Sequence, residues 1–387
     1  MKKLVYCFGL MLIVSCSSKN ATNISPDIIQ QLFEKTYLDS TIKVAGYTMH
    51  TYINQAIQQT TKDALTKSLM ENNADYGLAI VMETKSGKIN AFVNLEKDKL
   101  GHYLASKSCI VSEPIELGGL IKTFDVMSLL EDKKADTATV YDAHGGEISY
   151  GNQKIYDNHL GMHKLSLSDA YAHASNTIFA QAIDSAYSKN PISFINNLSK
   201  FGLCNELELP IPQSNRMHIP NPQTSSWTNT TLPLMAIGYE LSISPIQIIT
   251  YYNAIANNGV MVQPLFISHI QHKSGEQKEY RTKVLNKAIC SRNTIYTLQN
   301  LMNKVITQGT GKSLFSDKIE ISGKSATIKI GTDSNTKYAA AFVGFFPAQK
   351  PEYTVLVYVN NPKISFYGTS VAGTVLRTIA TSINNIH

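Results

Sequence analysis

The change of period along the chain constrains its fold most. Ile319 to Ile330, Tyr338 to Phe346 and Tyr353 to Asn360 are apolar runs of strand length with polar turns between them. Far upstream, Leu78 to Met82 and Ile89 to Val93 are two more such runs, joined by Lys85-Ser86-Gly87-Lys88, a hairpin signal. Between these two groups the apolar residues recur at helical spacing. Gly118 to Leu130, Leu167 to Ala186 with Ser166 as N-cap, Pro245 to Asn257 and Asn293 to Gln308 read as helices. Asn190-Pro191 breaks the second of these, and a further helix runs on to Gly202. An amphipathic helix over Ile53 to Met70 precedes the first hairpin, and one over Ser370 to Ile386 closes the chain. Pro210 to Thr231 is rich in Pro, Asn, Ser and Thr and reads as a surface excursion. Two strands, a helical middle, three strands and a last helix predict a mixed sheet domain with a helical insertion. No shift in composition divides it, and 387 residues with 43% hydrophobic content can bury a sizeable core.

The N-terminus carries a different signal. Lys2 and Lys3 precede the apolar run Leu4 to Val14, which is too short to span a bilayer as a helix but suits a signal sequence. Ile13-Val14-Ser15-Cys16 resembles a bacterial lipobox, in which the cysteine is acylated and becomes the new N-terminus. The expected division is a signal peptide over 1–15, a tether over 16–45 with one short helix near Ile28 to Glu34, and a folded domain over 46–387. A lipid chain on Cys16 would hold that domain to a membrane, in the cell envelope outside the cytoplasm. The formal charge of +6 is scattered with no basic run, so nucleic acid is not an expected partner. Cys7 lies in the signal, while Cys109, Cys204 and Cys290 are an odd, scattered set that reads as small apolar side chains rather than a disulfide framework.

Three segments carry the chemistry. They are Glu116-Leu117-Gly118-Gly119-Leu120-Ile121-Lys122 at a helix start, Ala174-Ser175-Asn176 in the helical middle, and Gly323-Lys324-Ser325-Ala326-Thr327 on the first late strand. Their order and setting resemble the S-x-x-K, S-x-N and K-[ST]-G set of penicillin-binding proteins and serine β-lactamases. The resemblance extends over about residues 45 to 387. Tyr47 to Leu65 and Gly77 to Leu95 are similar to the opening segment and first hairpin of class B, division-type transpeptidase domains. Ile237-Gly238-Tyr239-Glu240, Ser244-Pro245-Ile246-Gln247 and the helix end Ala254-Ile255-Ala256-Asn257-Asn258-Gly259 continue it, as does Phe342-Val343-Gly344-Phe345-Phe346-Pro347. The resemblance implies a penicillin-recognising α/β fold: a five-stranded, mostly antiparallel sheet flanked by helices, with an all-helical lobe. Since the transpeptidase-like segment begins soon after Cys16, the expectation is a domain without the family's pedestal and with a lipid anchor in place of its transmembrane helix.

The departures bear on function. The family's first motif is Glu-Pro-Gly-Ser-x-x-Lys, whose serine attacks the D-Ala-D-Ala carbonyl. An ungapped alignment puts Leu117 at the proline and Gly119 at the serine, so no acyl-enzyme forms there. Lys122 remains as a base with nothing to activate. In the second motif Ala174 replaces the serine and Asn176 is kept. In the third, Lys324, Ser325 and Thr327 are kept while Ala326 replaces glycine, a methyl that narrows the approach of a substrate backbone. The resemblance implies that Asn176, Lys324, Ser325 and Thr327 retain substrate contacts, the last three toward a terminal carboxylate. Two other S-x-x-K strings, Ser40 to Lys43 and Ser334 to Lys337, open no helix. His159 and His163 have helical ligand spacing but sit in a glycine-containing loop without the glutamate of H-E-x-x-H, and no metal or cofactor is expected.

The expected function is thus a pseudo-transpeptidase lipoprotein of peptidoglycan synthesis or cell division. It would bind a peptidoglycan stem peptide or a cell-wall partner protein without acylation. The alternatives are an active transpeptidase or carboxypeptidase with another nucleophile, and a scaffold with a vestigial cleft.

Overall fold

The computed structural model describes residues 40–106, 114–158, 160–207, 209, 217–331 and 335–385. The signal peptide, Cys16, the helix near Ile28, Cys109, His159 and Ser334 lie outside the described residues. Strands β1 (Thr41–Val44) and β2 (Tyr47–Thr51) form a hairpin, followed by helix α1 (Gln55–Glu71). Strands β3 (Tyr76–Glu83) and β4 (Ile89–Lys97) come next, then a short β5 (Tyr103–Ala105). The helical part holds α2 (Ile121–Glu131), α3 (Leu167–Ala172), α4 (Asn176–Tyr187), α5 (Pro191–Lys200) and α6 (Pro245–Ala256). Strands β6 (Ile267–His272) and β7 (Gln277–Glu279) and helix α7 (Arg292–Thr307) follow. The chain ends with β8 (Ser322–Ile330), β9 (Lys337–Phe346), β10 (Tyr353–Asn360) and α8 (Thr374–Asn384).

The main sheet has the order β8-β9-β10-β3-β4-β5, antiparallel at every pairing. It has one strand more than the expected five, because the three-residue β5 pairs with the end of β4. Its central strands are buried on both faces, which is why they appear in the sequence as continuous apolar runs rather than alternating ones. On one face Val81, Val93, Phe342 and Val357 pack beneath α1 and α8. On the other, Ile80, Phe92, Val343 and Leu356 join the larger core formed with α6 and the helical part. Helix α1 starts where the Asn54 side chain accepts from the Ala56 and Ile57 amides, a cap that contributes about 1 kcal/mol. Its buried residues Ile57, Thr61, Ala64, Leu65 and Ser68 recur every three or four positions and form the face laid on the sheet.

Two further expectations need correction. The last residues of the expected tether, Thr41–Val44, form β1, and β1-β2-β6-β7 make a separate four-stranded sheet. The single helix expected over Leu167 to Ala186 is two, α3 and α4, broken at His173-Ala174-Ser175. Ala174 has φ of 56°, a left-handed conformation uncommon for a residue with a Cβ, so the helix cannot run through it. The break sets the second chemical motif at the mouth of α4 instead of along a helix side.

Candidate active-site cleft

The first motif is held by a close backbone contact. The Gly118 amide donates to the Gly238 carbonyl at 3.2 Å. Gly238 has φ of +86°, and a Cβ there would lie 2.2 Å from Gly118 backbone atoms, so this position requires glycine. A 3-10 turn, Gly118–Leu120, then leads into α2 and puts Lys122 in its first turn.

Lys122 is fully buried. Its Nζ donates to Asn176 Oδ1 at 2.7 Å and lies 5.7 Å from the Phe179 ring centroid. Burial pushes its ammonium down to about 8, against the opposing pull of Asp125 and Asp157. Asp125, one turn further on, is also fully buried, and neither of its oxygens has a hydrogen-bond partner among the described residues. Burial therefore holds it well above the usual carboxylate range, with the charge of Lys122 pulling the other way.

Asn176 is the first residue of α4, and its placement depends on Asp157. One Asp157 oxygen accepts from the Asn176 amide and, at 2.9 Å, from the Thr177 amide. The other accepts from the Ser175 hydroxyl at 2.8 Å and the Thr177 hydroxyl at 3.0 Å. Four donors on one carboxylate fix the helix mouth. The Asn176 amide group then spans the site, donating to the Tyr156 carbonyl at 2.8 Å while accepting from Lys122.

The third motif lies on edge strand β8. Ser325 Oγ is 3.1 Å from Thr310 Oγ1, and Thr327 Oγ1 accepts from the Gly368 amide at 3.2 Å. Lys324 is set more deeply than the two hydroxyl residues of the motif. Alternation along the strand turns it inward, where it is fully buried and its Nζ donates to its neighbour's carbonyl, Ser325 O, at 3.2 Å. That Nζ also stands 5.4 Å from the Tyr171 ring centroid, and burial together with Lys122 drives its pKa well down. Lys324 shares its strand face with Ala326, which lines the cavity together with Ser325 and Thr327, and it stands close enough to the lining residue Lys122 for the two charges to oppose each other.

Gly119, Lys122, Ala174, Asn176, Ser325 and Thr327 come together around one cavity of about 270 Å³. Thr310, Tyr367 and Gly368 are among the lining residues that no sequence motif singled out. Thr310 follows α7, while Tyr367 and Gly368 come from the segment before α8. The glycine that stops the α7 pattern, Gly309, was the available signal for Thr310: a Cβ on it would lie 2.2 Å from the Ala172 carbonyl, so the chain passes close beneath α3. At Gly119 itself a side chain would meet the β8 backbone closely. A Cβ there would sit 2.9 Å from the Ser325 carbonyl oxygen. Of the other lysine-spaced serines, Ser40 stands beside β1, away from the cleft residues.

The profile of the penicillin binding protein transpeptidase domain matches residues 77–381. Peptidoglycan D,D-transpeptidase FtsI of Buchnera aphidicola subsp. Baizongia pistaciae is 25% identical over 363 residues, covering 89% of this chain and 60% of that protein. Penicillin-binding protein H of Bacillus subtilis is 24% identical over 351 residues, covering 81% of this chain and 48% of that protein. The chain therefore spans about half to three-fifths of the length of these relatives. Among solved structures, the D,D-transpeptidase domain of a peptidoglycan glycosyltransferase from Eggerthella lenta aligns with a TM-score of 0.74 at 20% identity, over 92% of this chain and 87% of that one. A transpeptidase domain of penicillin-binding protein 3 from Burkholderia pseudomallei aligns with a TM-score of 0.70 at 21% identity, over 87% and 96%. With a match over most of its length, the chain belongs to the penicillin-binding protein transpeptidase domain family.

Proposed function

We propose that this protein is a non-acylating member of its family, acting in peptidoglycan synthesis or cell division as a lipoprotein anchored through Cys16. Its cleft would bind a peptidoglycan stem peptide, or present a surface to a cell-wall partner protein, outside the cytoplasm. One observation carries this reading: at the nucleophile position stands Gly119, and a Cβ there would come within 2.9 Å of the Ser325 carbonyl oxygen. Acyl transfer needs a hydroxyl beside its base and a proton path to the leaving nitrogen. Lys122 is present without the first, and Ala174 removes a hydroxyl from the second. The Lys122–Asn176 bond and the Ser325 and Thr327 hydroxyls remain, a set suited to holding a peptide backbone and its terminus without bond making.

Ser325 favours the rival reading of an active enzyme, since its hydroxyl lines the same cavity. Its hydrogen-bond partner there is the Thr310 hydroxyl, which is no base. The test is calorimetry with a stem pentapeptide ending in D-Ala-D-Ala, paired with intact mass after incubation. Saturable heat that weakens in Thr327→Val, with unchanged protein mass, is the expected result. A covalent adduct would establish the rival. Absence of heat would leave the scaffold role and remove the ligand.

A further inference from the structure

Beside the cleft lies a second, wider cavity of about 970 Å³ whose chemistry differs from that of the first. The rings of Tyr76 and Tyr358 stand 6.1 Å apart in its wall, and those of Tyr338 and Phe366 stack at 4.5 Å. Tyr239 adds a fifth ring, its hydroxyl accepting from the Lys329 amide at 3.1 Å. Within this aromatic wall stands one carboxylate, Glu116, held on the short strand Ile115–Glu116 by pairing with Ser242–Ile243. Among the described residues no lysine, arginine or histidine nitrogen lies within 4.0 Å of it. The lysines that share the cavity are otherwise placed. Lys154 is paired with Glu147 at 2.7 Å, and Lys329 is exposed at the rim. Burial and then the charge of Glu240 push the Glu116 carboxyl up to about 7. Burial raises the neighbouring Tyr239 and Tyr358 hydroxyls, which stay neutral near pH 7.

We propose that this cavity is a recognition site for an alkylammonium group, the cation standing among the tyrosine rings and facing Glu116. Glu116 is a carboxylate half withdrawn from water with no cationic nitrogen within 4.0 Å among the described residues, and aromatic faces attract cations. A ligand bearing a primary or quaternary amine supplies the missing charge and keeps Glu116 ionised. Glu240 adds to the attraction, while Lys329 at the rim opposes it. The site does not involve the nucleophile position, so a cleft that acylates after all leaves this inference standing. Equally, a cavity that ignores amines leaves the non-acylating reading intact.

The test is an NMR titration of the purified full chain with choline, with butylammonium, and with 3,3-dimethylbutan-1-ol, the uncharged analogue of choline. Saturable binding of at least one cation is expected at pH 8, about tenfold tighter than the neutral analogue. It should weaken as the pH falls through 7, because protonation removes the Glu116 charge. Glu116→Gln should abolish the preference for charge. Equal binding of choline and its neutral analogue would overturn the proposal, as would absence of saturable binding by both cations. The pH profile of the unaltered chain decides the matter even if the variant fails to fold, since pH-independent binding would also contradict it.

Discussion

Lys122 carries a penalty that its surroundings only partly offset. Its folded pKa, about 8, lies below the ordinary lysine value, so between these values the unfolded chain binds more protons than the folded one. Stability linked to this residue therefore rises with pH from about 8 upward, and below 8 the cost of burying the charge is fully present. Urea unfolding of wild type and Lys122→Met at pH 8 and 9.5 should show it. The wild type gains relative to the variant by up to about 1.4 kcal/mol per pH unit. An unchanged difference would mean that the ammonium is better solvated than its burial implies. Asn176→Ala removes a side-chain acceptor of that ammonium, the one found among the described residues, and should cost about 1–3 kcal/mol, read by the same method. At Gly119 the prediction concerns space. Gly119→Ser must push back the Ser325 carbonyl and should lower stability by about 1–3 kcal/mol. Combined with Ala174→Ser it should restore slow acylation by a reactive penicillin, because Lys122 and Asn176 are already in place. Loss of stability without any acylation would locate the remaining defect at Ala326 or in the wider cleft.

At the scale of elements, the strands were the most legible part and the helix break the least. β3, β9 and β10 announce themselves because burial on both faces leaves only apolar residues between polar turns. The local sign of the α3–α4 break is Ser175, the N-cap of α4, whose Oγ accepts from the Ile178 amide at 3.3 Å. A second cap comes from Asp157, eighteen residues before Ser175, whose carboxylate claims the first amides of α4. Such a long-range cap has no periodicity to betray it. Asp157→Ala should accordingly cost more than a simple surface cap, about 2–3 kcal/mol, since it strips four donors of one buried acceptor. It should also weaken stem-peptide binding by releasing Asn176, whereas Asp157→Asn keeps part of both. Thermal unfolding and calorimetry on the two variants would check the order. The small sheet β1-β2-β6-β7 was missed for another reason. Strands such as Thr41–Val44 alternate exposed and buried residues over only four positions, too few for a pattern to stand out.

For the whole molecule, the mixed sheet with a helical insertion followed from the order of element types, while the penicillin-recognising fold and the cleft followed from the motif resemblance. No composition or spacing places Thr310, from the end of α7, against Ser325 on β8; the antiparallel sheet and the packing of α7 upon it do so. Nor does the motif alone foretell depth: Lys324 is fully buried near Lys122 and Tyr171, while the hydroxyls of Ser325 and Thr327 line the cavity. The envelope assignment belongs to this scale as well. Cys16→Ser should abolish labelling by a fatty-acid analogue and move the protein from the membrane to the soluble fraction. Retention at the membrane would require another anchor. The central claim, that the cleft binds without acylating, is tested most directly by the intact mass of the domain after incubation with a reactive penicillin. The account predicts an unchanged mass, because Gly119 has no nucleophile and the Ser325 hydroxyl has no base as its partner. A stoichiometric adduct would contradict it, and peptide mapping would then identify the acylated residue.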